Sequence, residues 1–406
     1  MGTAPYIAST TALKRDGLPR PLGGPVRRWA GVRRRIRDGH CGLAPMLLAV
    51  IAVMLVPAQA RALTTVTARG GALRQGHERF HVYGYNYGPR AWRWMCGCIT
   101  PTLGRDPVPS FRYFDHPTGR NLRLIGRDLS RMRRRGANTV RLYIELGHIM
   151  RTPTRTRARR LRALADLLRV AERRHVYLDI TGNLVWRPWR SPGWYDRLSD
   201  GARWRVQARF WRSVARVGAR SPAVLAYELT SEPVMIEGGA WYPGVLGGYH
   251  FGPNVARGVP LAESERAARS WIRLLRRAIR RVDRRHLIGL GMLPWAGDWA
   301  FSPRNVAPLL DVLFLHSYPV DGHVEGEISV VKSFTAPGKP VVLGETYPYR
   351  GSLETQRRFL VGSAPHVSGQ LSFFLRGESG EDRAGLHYLA ALRQFAGLEQ
   401  RLGSAD

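Results

Sequence analysis

Residues 226–235 read AYELTSEPVM. Ala226, Tyr227 and Leu229 make a short apolar run, and Glu232 with Pro233 ends it, leaving a carboxylate at its carboxyl end. A brief apolar run closed by a breaker is the sequence form of a strand buried on both faces. Seven other segments share it: FHVYGYNY (80–87), NTVRLYIE (138–145), HVYLDITG (175–182), HLIGLGML (286–293), DVLFLHS (311–317), PVVLGE (340–345) and QLSFFL (370–375). With VLAYELT (224–230) they make eight.

Helical patterns lie between most of them. Residues 120–135 carry Leu122, Leu124, Ile125, Leu129 and Met132 at helical spacing, and residues 261–284 carry Trp271, Leu275, Ile279 and Val282. In RTRARRLRALADLLRVAERR (155–174), Leu161, Leu164, Leu168 and Ala171 form the apolar stripe and the Arg residues the wet face. Trp204, Trp211 and Trp271 fall in such patterns and are expected in the core. Eight buried strands alternating with helices predict a single parallel (β/α)8 barrel. A doubly wound sheet would alternate similarly, but no G-x-G-x-x-G follows the first strand. The expected organisation is a leader over 1–62, the barrel over 63–400 and a short tail over 401–406.

The leader has its own logic. Arg27, Arg28, Arg33, Arg34, Arg35 and Arg37 precede the apolar run GLAPMLLAVIAVMLV (42–56), and Ala58, Ala60 and Ala62 follow at cleavage-type spacing. Basic region, short apolar core and small-residue site form a secretory signal. The run is shorter than the roughly 20 residues of a membrane span. A secreted or cell-envelope location is therefore expected, with membrane contact only through an uncleaved leader.

The net charge of +33 invites a polyanion reading. Only Lys14, Lys332 and Lys339 are lysine, so almost all of the 63 basic residues are Arg. Spread over helix faces without any nucleic-acid-binding motif, they read as solvated surface, and no nucleic-acid partner is expected. Cys96 and Cys98, in MCGCI, are too close for an unstrained disulfide and too few for a metal site.

In a (β/α)8 barrel the chemistry sits at the carboxyl ends of the strands. Those ends hold Asn86, Arg141, Thr181, Glu232, His316 with Tyr318, and Glu345. Strands four and seven face each other across the mouth, so Glu232 and Glu345 can address one sugar. Glycoside hydrolysis needs such a pair: one carboxyl to protonate the leaving oxygen, another to attack or to activate water. Arg141 and Tyr318 are placed to keep the second one ionised. Asp179 and Glu228 sit within strands and are expected to pair inside the barrel.

Here the chain resembles glycoside hydrolase family 5, the cellulase and β-mannanase family. GYNYGP, GANTVRLY, SPAVLAYELTSEP, LHSYP and KPVVLGE occur in that family's order and spacing, over about residues 75 to 376. The resemblance implies a retaining hydrolase of β-linked glycans, of β-mannan or β-glucan type. It makes Glu232 the acid/base and Glu345 the nucleophile, with Arg141 and Tyr318 holding the nucleophile and His316 beside the sugar. The approach SPAVLAYEL and the Gly182, Asn183, Trp186 sequence after strand three are closer to the β-mannanase branch.

Three positions depart from the pattern. Ser231 stands where the family has Asn, Thr181 where many members have His, and strand eight offers Phe373 and Phe374 where most have Trp. The alternatives are a non-catalytic carbohydrate-binding barrel with a degenerate sugar pocket, or a glycolipid-directed β-glycosidase. Trp92, Trp94, Trp186, Trp189, Trp194, Trp241, Tyr242, Trp295 and Trp299 crowd the loops of the same face and suit stacking on sugar rings. His148, His250 and His323 lack metal-ligand spacing. No cofactor or metal is implied. The expected partner of a monomer is a β-linked oligo- or polysaccharide.

Overall fold

The computed structural model describes residues 62–88, 112–114, 117–184, 191–241, 245–246, 249–250, 253–295, 299–348 and 351–376. Eight strands form the centre: β1 (Val82–Gly88), β2 (Thr139–Glu145), β3 (Tyr177–Asn183), β4 (Val224–Glu228), β5 (Leu287–Met292), β6 (Val312–His316), β7 (Val341–Thr346) and β8 (Gly369–Arg376). All neighbours pair parallel, and β8 pairs with β1 to close the barrel. Each expected strand is present, with its ends moved by at most two residues.

Among the described residues, six helices of eleven or more residues lie around the barrel: α1 (Gly119–Arg134), α2 (Ala158–Arg173), α3 (Asp200–Gly218), α4 (Ser264–Arg280), α5 (Val324–Thr335) and α6 (Leu353–Ser363). Their stripes pack on the outer face of the strands, with Trp211 and Trp271 fully buried there and Trp204 partly so. The Arg excess follows this layer unevenly. On α1 to α4 the Arg residues crowd the outer faces, Arg203 being the buried exception. On α5 and α6, Glu325, Glu327 and Glu354 balance Lys332, Arg357 and Arg358. Among the described residues, no helix is long and apolar enough to cross a membrane.

Strand alternation decides what faces the barrel axis. In β2, Val140, Leu142 and Ile144 join the core under the helices, which turns Arg141 and Tyr143 inward. In β3, Leu178 and Ile180 point out, so Asp179 and Thr181 point in. The interior is layered. Val82, Tyr177, Leu287, Val312, Phe314, Val342 and Leu371 fill the amino-terminal end. Polar groups gather above them.

No strand is predicted from the sequence over residues 62–79. They form an antiparallel ribbon, Val66–Arg69, Ala72–Gln75 and Glu78–Arg79. Its Val66 and Leu73, with Phe80 just beyond it, join the lower interior layer. Phe80 meets Tyr177 edge-on at 5.2 Å, and the Tyr177 hydroxyl donates to the Thr64 carbonyl at 2.6 Å. The ribbon is a plug for the barrel floor.

Room inside the barrel is set by glycines. A Cβ on Gly84 would stand 1.6 Å from the Thr139 carbonyl oxygen, on the neighbouring strand. Gly84→Ala must push β1 off β2 and is expected to destabilise the protein by about 3 kcal/mol or more, read as a lowered midpoint in urea unfolding.

Candidate active site

The polar layer is organised by Arg141, which is fully buried. Its Nε and Nη2 donate to the two oxygens of Glu228 at 2.7 and 2.6 Å, a bidentate pair. Nη1 donates to Asn86 Oδ1 at 2.7 Å, to Tyr143 Oη at 2.5 Å and to Glu345 Oε1. Nη2 also reaches Ser231 Oγ at 3.2 Å. Asn86 is fixed in turn by donating to the carbonyls of Gly344 at 2.9 Å and Ser372 at 3.3 Å. One guanidinium thus ties β1, β2, β4 and β7 together at the mouth.

Glu345, on β7, is surrounded by donors. Tyr143 Oη donates to Oε1 at 2.6 Å and Tyr318 Oη to Oε2 at 2.5 Å. Burial alone would raise its carboxyl. His316, Arg141 and the two phenols outweigh burial and hold it at about 2. Glu345 is an ionised carboxylate over the whole neutral range.

Glu232 has different surroundings. Strand β4 stops at Glu228, so Glu232 lies four residues beyond its end rather than on it as the sequence reading placed it. The backbone there has φ 49°, a left-handed conformation that non-glycine residues seldom adopt, and Pro233 follows. The turn is pinned on both sides. Glu232 N–H donates to the Gly291 carbonyl at 3.0 Å, and Trp211 Nε1 of α3 donates to Leu229 O at 3.2 Å. The side chain then lies over His316, with Oε1 2.7 Å from Nδ1. Burial raises the Glu232 carboxyl; His316 and Arg141 oppose it and the Glu345 charge assists it. Oxygens of Glu232 and Glu345 and a ring nitrogen of His316 all lie within 4.8 Å of one another.

The structure brings together most of the residues expected at the site: Asn86, Arg141, Ser231, Glu232, His316, Tyr318 and Glu345. Trp295 is half-buried on the loop after β5. Trp186 lies outside the described residues, as do Trp92, Trp94, Cys96, Cys98, Trp189 and Tyr242. Two of the loop aromatics are half-buried against the barrel core. Trp194 meets Tyr195 edge-on at 5.8 Å, and Trp241 is covered by the Arg203 guanidinium at 3.6 Å.

Sequence reading missed Tyr143. It sits two residues after Arg141, hence on the same inward face, and that spacing was the signal for it. Thr181 and Ser231, both departures from the family pattern, are engaged with one pair: Thr181 Oγ1 donates to Glu228 Oε2 at 3.2 Å, and Ser231 accepts from Arg141. Phe373 is buried and stands edge-on to Tyr318 at 6.0 Å. The side chain of Phe374 is outside the described residues.

No protein-family model matches the chain, and no curated protein sequence matches it. Solved structures do. The exo-β-1,4-mannosidase Op5Man5 from Opitutaceae bacterium strain TAV5 superposes with TM-score 0.56 at 20% identity over 75% of this chain. The β-mannanase of the blue mussel Mytilus edulis does so with TM-score 0.56 at 15% identity, covering 82% of this chain and 96% of its own. A GH5_18 protein from Streptomyces cattleya, solved with Manβ1-4GlcNAc, matches with TM-score 0.51 at 18% identity, over 65% of this chain and 67% of its own. The fold is of the glycoside hydrolase family 5 type. The match spans 54% of the Op5Man5 chain.

The Glu345 environment has a measurable consequence. A carboxyl held below its ordinary value of 4.5 in the folded state contributes stability above that value, and loses it as pH falls towards about 2. Wild type should therefore lose stability relative to Glu345→Gln between pH 5 and pH 2.5, by on the order of 2 kcal/mol. Urea unfolding of both proteins across that range checks it.

Proposed function

We propose that the chain is a retaining β-glycosidase acting on β-linked mannan-type glycans, with Glu345 as nucleophile and Glu232 as acid/base. One observation carries the reading: two carboxyls with oxygens within 4.8 Å, one held ionised and the other raised. Retaining hydrolysis wants its carboxyl groups about 5–5.5 Å apart, and inversion wants about 6.5–9.5 Å to seat a water.

Glu345 attacks the anomeric carbon while Glu232 gives its proton to the departing glycosidic oxygen. The sugar is then an ester of Glu345. Glu232, now ionised, takes a proton from water, which adds to the anomeric carbon and frees Glu345. Arg141, Tyr143 and Tyr318 keep the nucleophile charged and aimed. His316 orients Glu232.

Mannan ranks first among substrates because the similar structures are named as mannanases and a mannosidase. The short Ser231 changes the place where family members contact the 2-hydroxyl, so a water is expected to bridge there. Export through the leader, with action outside the cell or in its envelope, belongs to the same proposal and rests on the residue pattern of 27–62.

Reducing-sugar release from β-mannan, β-glucan, xylan and glycolipid tests the reading. Release from mannan that falls at least roughly a thousandfold in Glu345→Gln is the expected result. No release from any of them, with glycan binding intact, would overturn it in favour of a binding protein. The pH profile of kcat/KM should be bell-shaped. Its acid limb should lie below the ordinary carboxylate range, where Glu345 gains a proton, and its alkaline limb above that range, where Glu232 loses one.

A further inference from the structure

Behind the nucleophile lies a carboxyl that the proposed reaction does not use. Asp179 on β3 is fully buried beside Glu228, which is also fully buried and accepts from the same Arg141 Nε that stands near Asp179. Its Oδ2 is 3.9 Å from Nε of Arg141. Among the described residues, no N–H or O–H group donates to either Asp179 oxygen. Glu228, in contrast, takes two bonds from Arg141 and one from the Thr181 hydroxyl.

Two ionised carboxylates are acceptors only, so a hydrogen bond between them requires a proton. The distribution of donors decides where it resides. Glu228 is already satisfied as an anion. An ionised Asp179 would be a third carboxylate around one guanidinium, 3.9 Å from an Nε that already donates to Glu228, and so a poorly compensated buried charge.

We propose that Asp179 is a neutral carboxylic acid whose hydroxyl donates to Glu228, and that it is a positioning residue for the nucleophile. Asp179 holds Glu228, Glu228 holds Arg141, and Arg141 holds Glu345. The charged groups facing it are Glu228 from β4 and Arg141 from β2. Burial and the Glu228 charge push its carboxyl well above the ordinary value, and Arg141 opposes them without prevailing. The positioning role rests on Glu345 being the nucleophile; the protonation does not.

Two variants test this. Asp179→Asn keeps the shape and supplies an N–H donor; Asp179→Leu supplies none. Infrared difference spectra at neutral pH, both proteins carrying Glu232→Gln to remove that acid, should show a protonated-carboxyl stretch that Asp179→Asn abolishes. Stability should diverge with pH. A carboxyl raised in the folded state loses stability as pH climbs from its unfolded value of 3.8, so wild type should weaken relative to Asp179→Asn from about pH 4 upwards. In activity, Asp179→Leu should lower kcat/KM roughly tenfold and move the acid limb upwards, and Asp179→Asn should recover most of the loss.

An identical infrared band in both proteins, or a stability gap that ignores pH, would overturn the proposal. So would failure of Asp179→Asn to fold, since its amide supplies the same donor. If wild type releases no sugar, the assignment of Glu345 fails alone, and the infrared and stability measurements still decide Asp179.

Discussion

The bidentate pair of Arg141 and Glu228 is the contact on which the rest of the site depends. A guanidinium with no exposure is tenable only when its donors are matched, and here all three nitrogens are engaged. Glu228 fixes the plane of the group. With the plane fixed, Nη1 points to Glu345, Tyr143 and Asn86 together. The same cation that ties the barrel mouth together also helps to hold Glu345 ionised, so packing and electrostatics have one origin.

Glu232 and Glu345 are similar carboxyls in different surroundings. Glu345 accepts from two phenols and Arg141 within the barrel. Glu232 is reached through a turn of unfavourable φ and meets His316, with burial its largest influence. Similar carboxyls in contrasting surroundings make an acid and a base. Thr181 and Ser231 fit this frame: each bonds to the Arg141–Glu228 pair, so both help to set the support of Glu345.

Much of this was legible in the sequence, because a strand buried on both faces leaves an apolar run that survives even with Arg141 or Glu228 inside it. All eight barrel strands follow from that. The carboxyl-end rule then located Glu345, Arg141, His316 and Tyr318. The rest depended on information that runs across the chain. The ribbon over 66–79 has strands of two to four residues, too short for alternation to register. Tyr143 and the bond from Arg141 to Glu228 join residues on different strands, and sequence spacing carries only the i, i+2 hint. The contacts of Trp194 with Tyr195 and of Trp241 with Arg203 likewise join residues that spacing alone does not pair.

The most direct test of the central assignment is mass spectrometry of the protein after reaction with an activated β-mannoside that is fluorinated at the position next to the anomeric carbon. Such a reagent forms the glycosyl ester and releases it slowly. A single sugar attached to the peptide that carries Glu345, and none on Glu345→Gln, is the expected result. Turnover of mannan without any trapped adduct, or an adduct on Glu232, would contradict it.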